Sequence, residues 1–161
     1  MTQSNDCAEW VEIRAGTVVD CSPEVVFAFA CDPFNDARWL TNVGKTEQLT
    51  PGPIGLDSRF RQFPIFLGVP VEVEWQVIEF VANRRMKGRS VTGLFAFERG
   101  YDCEPVGQAT RITKVVKLHL APVSAFVPRA AAGTLLSKAA ERALRRLKNL
   151  LESSASPDRT T

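Results

Sequence analysis

The stretch from Ala132 to Leu151 constrains this chain more than any other. Ala132, Leu135, Leu136, Ala139, Ala140, Ala143, Leu144, Leu147, Leu150 and Leu151 recur with a period near 3.6. Lys138, Glu141, Arg142, Arg145, Lys148 and Glu152 fall on the other side. This predicts an amphipathic helix from roughly Pro128 to Glu152, about six turns long. Its apolar stripe is wide, so the rest of the chain must grip it deeply. The many alanines let a neighbouring sheet come close at some levels and leave room for a guest at others.

What precedes the helix reads mostly as strands. Val11, Ile13, Ala15, Thr17 and Val19 alternate with polar residues, the period-two pattern of a half-buried strand. Ser22-Pro23 then opens a short helix, because serine can accept from the first free N–H groups and proline suits the first helical position. Asp32-Pro33 ends it, and a second short helical turn runs from Asn35 to Leu40. Thr50-Pro51-Gly52-Pro53 and Gly55 mark a loop. Hairpin strands follow over Arg59–Phe66, where Pro64 implies an edge or a bulge, then around Val71–Val77, Arg85–Val91, Leu94–Cys103 and Thr110–Leu120. Turns are expected at Gly68-Val69-Pro70, Asn83-Arg84, Gly93 and Glu104–Gly107.

Consecutive strands joined by short turns pair antiparallel, and an apolar sheet face must be covered. The predicted class is therefore α+β: a curved antiparallel sheet of about six or seven strands around a long C-terminal helix, with two short helices after the first strand. The chain has 161 residues, enough for one domain. Residues 10–152 are expected to form it, with 1–9 and 153–161 as flexible tails.

Composition excludes several function classes. Lys and Arg total 20 and Asp and Glu total 18, so a net charge of +2 exerts no general pull on nucleic acid. No apolar run reaches the ~18 residues of a membrane span, and Met1–Glu9 lacks the apolar segment of a signal peptide. A cytoplasmic location is expected. Cys7, Cys21, Cys31 and Cys103 show no C-x-x-C spacing, and His119 is the one histidine. Neither a disulfide framework nor a metal site is expected, and no cofactor motif appears.

This order of elements resembles the START/polyketide-cyclase-like superfamily, also called SRPBCC, which includes the birch-pollen-allergen-like helix-grip proteins. The resemblance is carried by Asp20-Cys21-Ser22-Pro23-Glu24-Val25-Val26-Phe27, by Asp32-Pro33 with Trp39 downstream, by Gly107-Gln108-Ala109-Thr110-Arg111, and by Leu147-Lys148-Asn149-Leu150-Leu151-Glu152. The family's Gly-Thr-Arg carries two extra residues here, Gln108 and Ala109, which implies a looser turn. The likeness implies a deep, mostly apolar pocket between sheet and long helix. Members bind lipids, sterols, polyketides, quinones or hormones, and some cyclise, aromatise or dehydrate a held substrate. Fold alone does not choose among these.

Strand parity supplies candidate pocket residues. In the last strand Ile112, Val116 and Leu118 share a face with Lys114, while Arg111, Lys117 and His119 point the other way. In the strand before it, Phe95, Phe97 and Tyr101 share a face with Arg99. Trp75 faces inward from its own strand, and Leu136 and Ala140 come from the closing helix. A buried cation costs several kcal/mol unless paired. Arg99 and Lys114 therefore call for a partner: a ligand carboxylate, enolate or phenolate, or Glu98 or Asp102 across a bulge. Alternatively both cations reach solvent at strand ends. Trp39 and Trp75 could stack a planar ligand or fill the core. Glu72 and Glu74 read as a solvated face, and His119 as a surface histidine.

The expected function is binding of a hydrophobic small molecule, with Arg99, Tyr101 or Lys114 orienting its polar end. Opening would involve the loops at Asn83-Arg84, Val91-Thr92-Gly93 and Glu104–Gly107, or the closing helix. A polyketide cyclase or dehydrase is the enzymatic alternative, with Arg99 or Lys114 stabilising an enolate and Tyr101 carrying a proton. A ligand-free interaction module is the third reading, and it requires a filled interior. Arg142, Arg145, Arg146 and Lys148 could meet anionic headgroups, or simply form a solvated helix face. The edge strands could pair in a homodimer.

Overall fold

The computed structural model describes residues 9–155. The chain begins with β1 (Trp10–Val19), α1 (Pro23–Ala30), a 3-10 turn over Pro33–Asn35 and α2 (Asp36–Trp39). Strands β2 (Val43–Gln48), β3 (Arg59–Phe66), β4 (Val69–Pro70), β5 (Val73–Val81), β6 (Arg85–Gly93), β7 (Phe97–Val106) and β8 (Ala109–His119) follow. A 3-10 turn at Ala121–Val123 leads into α3 (Arg129–Ser154). The strands form one curled antiparallel sheet in the order β1-β8-β7-β6-β5-β3-β2, with β4 paired to β3 alone.

Local chemistry explains the joints. Ser22 caps α1, its Oγ accepting from the Val25 amide at 3.5 Å, and Asp32 caps the next turn by accepting from the Phe34 amide at 2.9 Å. These helices carry the chain from one sheet edge to the other, and the meander from β2 to β8 brings it back beside β1. Leu67 and Gly68 form the β3–β4 turn with φ of +49° and +80°, the doubly left-handed geometry of a type I′ hairpin. Gly107, at φ +61°, occupies the first position of a two-residue turn between the paired Val106 and Ala109. That turn is tight, not loose, and β7 extends to Val106 through the segment expected to turn. β2 was not foreseen, and Leu94–Ala96 precedes β7 instead of opening it. Pro64 does sit at an irregularity: the β2–β3 register shifts between Val43, opposite Pro64, and Thr46.

The core has two parts. The larger packs Val26, Phe27 and Ala30 of α1 and Trp39 of α2 with Phe60, Trp75, Met86, Tyr101 and Ile112 of the sheet and with Leu144, Leu147 and Leu151 of α3. The smaller gathers Val11, Ile13, Leu120, Ala132 and Ala140. Leu135, counted in the apolar stripe, is 66% exposed. The far end of α3 is pinned to β1: Glu152 Oε1 accepts from the Asp20 amide at 2.9 Å and from Lys148 Nζ at 2.7 Å. Lys148 also donates to the Val18 carbonyl at 2.6 Å, so it is occupied within the fold while Arg142, Arg145 and Arg146 stay exposed. Among the described residues no helix is long and apolar enough to cross a membrane. Cys21, Cys31 and Cys103 are free and buried, and Cys7 lies outside the described residues.

Candidate functional site

Where the two core clusters part, a cavity of about 290 Å³ opens between sheet and α3. Ile13 and Ala140 line it from the smaller cluster, and Leu40 and Ala143 from the larger. The space exists because α3 presents Leu136, Ala139, Ala140 and Ala143 at this level, while Leu144, Leu147 and Leu151 fill the interior further along. Val73, Phe95, Phe97, Val116 and Leu118 supply the sheet wall. Thr41, Asn42 and Ile65 are lining residues exposed to solvent, which puts the mouth at the start of β2 and the end of β3. The Asn83-Arg84 and Gly107 turns belong to the opposite end of β7 and β8 and are not part of that mouth.

The inner end of the cavity is polar. Arg99 is 9% exposed and Lys114 8%, and both line the cavity with Gln62. Neither Glu98 nor Asp102 neutralises the two cations. Glu98 pairs with Arg89 and Lys117, and Asp102 with Arg85. The partner is Asp36 of α2, fully buried, whose Oδ2 and Oδ1 accept from Arg99 at 2.8 and 3.2 Å. Gln62 completes the arrangement. Its Nε2 donates to Asp36 at 2.8 Å and to Thr46 Oγ1 at 3.0 Å. Its Oε1 accepts from Trp75 Nε1 at 2.9 Å and from Arg99 at 3.3 Å. Sequence reading missed Asp36 and Gln62 because each looks like an ordinary surface residue. The available signal was that a buried arginine needs a carboxylate and that α2 is the element covering the sheet there.

Lys114 has no carboxylate of its own. Its Nζ lies 3.1 Å from the Tyr101 hydroxyl, which also accepts from Arg99 at 2.9 Å. The ring faces of Tyr101 and Trp39 lie 4.8 and 5.4 Å from the nitrogen. Burial, helped by the neighbouring Arg99 charge and opposed by Asp36, pulls the Lys114 ammonium down to about 7. Burial likewise raises the Tyr101 phenol, against the lowering effect of Arg99. The Arg99 guanidinium loses solvent, but Asp36 and Tyr101 more than offset this and keep it charged. Its Nε–H is buried without a hydrogen-bond partner among the described residues.

Seven of the ten sequence candidates line the cavity: Phe95, Phe97, Arg99, Lys114, Val116, Leu136 and Ala140. Trp75, Tyr101 and Ile112 stand behind it as fully buried support. Trp75 stacks on Phe60 at 4.9 Å and lies under the Arg99 guanidinium at 4.7 Å. Glu74 is not simply solvated, since it pairs with Arg61 at 2.8 Å and Arg59 at 3.5 Å. His119 lies on the outer face, half-covered, 3.2 Å from Glu9 and against Trp10. Among the described residues no group of His, Cys, Asp and Glu could hold a metal.

A family model described as polyketide cyclase / dehydrase and lipid transport matches residues 11–152. No curated protein matches the chain. Among solved structures, TTHA0849 from Thermus thermophilus superposes with a TM-score of 0.76 at 23% identity, covering 91% of this chain and 100% of that one. A START superfamily protein from Mycobacterium smegmatis gives 0.76 at 17% identity, covering 89% and 98%. The Zhui aromatase/cyclase from Streptomyces sp. R1128 gives 0.75 at 12% identity, covering 94% and 99%. At these identities the structural likeness speaks for the fold.

Proposed function

Because the chain belongs to the polyketide cyclase / dehydrase and lipid transport family, we propose that its cavity holds a hydrophobic small molecule, such as a lipid, quinone or polyketide, with an oxygen-bearing end against Arg99 and Lys114. The observation that carries this reading is a basic group without an acid. Arg99 and Lys114 are both buried at the inner end of a mostly apolar space, and the carboxylate there, Asp36, pairs with Arg99 and not with Lys114. A ligand oxygen there would meet an N–H of Lys114, and the aliphatic remainder would bury against Phe95, Phe97 and Leu136. Such burial contributes about 25 cal/mol per Å² of apolar surface.

The test is a fluorescence titration with the apolar probe N-phenyl-1-naphthylamine. Saturable binding at one probe per chain is expected, and Ala139→Phe, which fills the cavity from a half-buried helix position, should abolish it while the circular dichroism spectrum stays unchanged. Binding that persists in the filled variant would place the probe elsewhere and end this reading. A second reading, a cyclase or dehydrase acting on the held molecule, is favoured by the Lys114–Tyr101 contact of 3.1 Å, which places an amine of lowered proton affinity beside a hydroxyl. A ligand-free module fits poorly with the open space at the level of Ala139, Ala140 and Ala143.

A further inference from the structure

We propose that Lys114 is a nucleophile, and that the cavity captures an aldehyde or ketone ligand by forming an imine at its Nζ. The inference rests on the cavity being a ligand site and names the chemical class that site would take.

The geometry isolates this amine. Lys114 lies in the middle of β8, far from the strand ends where a lysine can extend to water, and lines the cavity at 8% exposure. Every other charged group near it is committed. Asp36, on α2, gives both carboxylate oxygens to Arg99 and Gln62. Arg99, on β7, brings a second positive charge toward the same hydroxyl oxygen. β1 faces Lys114 with Ala15, its register partner, and α3 presents Ala139, Ala140 and Ala143 at the cavity. A lysine desolvated in an apolar pocket beside another cation is a recognised way to hold an amine neutral and nucleophilic near neutral pH.

The Tyr101 hydroxyl fits this state. Arg99 can only donate, so the phenol oxygen accepts from it, and the phenol's own proton is left to point at a lone pair. The Lys114 nitrogen, 3.1 Å away, supplies one when neutral. Arg99, Tyr101 and Lys114 then form a donor chain that ends on the amine.

The step balances without an oxidant or a reductant. The Nζ lone pair attacks the carbonyl carbon, and the C=O π pair moves onto oxygen. Tyr101 passes a proton to that oxygen and regains one from nitrogen, leaving a neutral carbinolamine. The C–O bond then breaks, the oxygen departs as water with the second nitrogen proton, and a C=N bond remains. Hydrolysis by the reverse path frees the ligand.

The experiment incubates the protein with decanal and sodium cyanoborohydride, which reduces an imine to a stable secondary amine, and maps the modified lysine by peptide mass spectrometry. Decanol, which has the same chain and no carbonyl, is titrated in parallel by displacement of N-phenyl-1-naphthylamine. At pH 7 the decyl group should appear on Lys114 at least about tenfold faster than on the exposed Lys45, Lys87 or Lys138. The Lys114→Arg variant should lose that label, and its melting curve reports whether it is folded. Labelling should rise to a plateau around pH 7 to 8 instead of climbing toward pH 10. If decanol binds but the label spreads over the exposed lysines, or survives Lys114→Arg, the nucleophile is refuted and the binding cavity stands. If decanol does not bind either, the binding reading fails together with the nucleophile.

Discussion

At Arg99, a single side chain connects burial, charge and function. Its guanidinium lies between the rings of Trp75 and Tyr101, donates to both oxygens of Asp36, and lines the cavity. Breaking a buried ion pair by removing one partner leaves an uncompensated charge at a cost of about 3–5 kcal/mol, whereas replacing both by apolar groups is often neutral. Asp36→Asn should therefore lower unfolding stability by about that amount. The double substitution Asp36→Leu with Arg99→Met should recover most of it, as measured by urea denaturation. Equal losses in the single and double variants would show that the pair is not the source. Lys114 carries the opposite sign of effect. Unfolded it titrates at its ordinary 10.5, folded at about 7. Between those values the unfolded chain holds the extra proton, so stability rises as pH increases through the interval. The penalty is full below pH 7 and gone above 10.5. Lys114→Met should be more stable than the parent at pH 7, and the gap should shrink by pH 9.5. Parallel pH profiles for the two chains would contradict this.

Among the elements, β6 shows how backbone space holds the site. Gly88 sits against the Trp75 ring so closely that a Cβ there would lie 2.6 Å from Cε3 and 2.7 Å from Cζ3. The ring cannot retreat freely, since it stacks on Phe60 and its Nε1 is bound to Gln62. Gly88→Ala should overpack this layer and cost about 1–3 kcal/mol. It should also disturb Arg99 through Trp75 and Gln62, so probe affinity should fall along with the melting temperature. A melt unchanged from the parent would mean the layer is looser than its contacts imply. In α3, the buried stripe carries Ala139, Ala140 and Ala143 at the cavity and Leu144, Leu147 and Leu151 beyond it. The alanine stretch borders empty space and the leucine stretch fills it, so one helix serves as cavity wall at one end and core at the other.

The whole molecule is thus unevenly packed. The end beneath α1 and α2 holds the large aromatic cluster, and the cavity end holds small residues and a solvent-exposed mouth. Local opening follows local packing. Amide hydrogen exchange in α3 should be faster over residues 132–140 than over 143–151, and saturating decanol should slow the former selectively, since a ligand stabilises the state that binds it. Uniform exchange along the helix, with or without decanol, would rule out this division.

Much of this was fixed by local pattern, which is physically why it could be read. A 3.6-residue apolar period places α3 whatever its surroundings, and period-two alternation put Arg99, Tyr101 and Lys114 on the inner face of β7 and β8, because neighbouring side chains on a strand must point opposite ways. Ser22 announced its cap through a hydrogen bond only a few residues long. The helix-grip order of elements and the likeness to the family followed from the same signals. What sequence could not supply is pairing over long separations. Asp36 meets Arg99 across 63 residues and Gln62 across 26, and its α2 is a single turn with almost no periodicity. β2, with its irregular register, gave no alternation to read. The mouth of the cavity at Thr41–Asn42 and Ile65, the pairing of Asp36 with Arg99, and the isolation of Lys114 beside Tyr101 all depend on which elements the curled sheet brings together. Only the tertiary structure decides that, because electrostatic compensation and empty volume are properties of a neighbourhood and not of a stretch of chain.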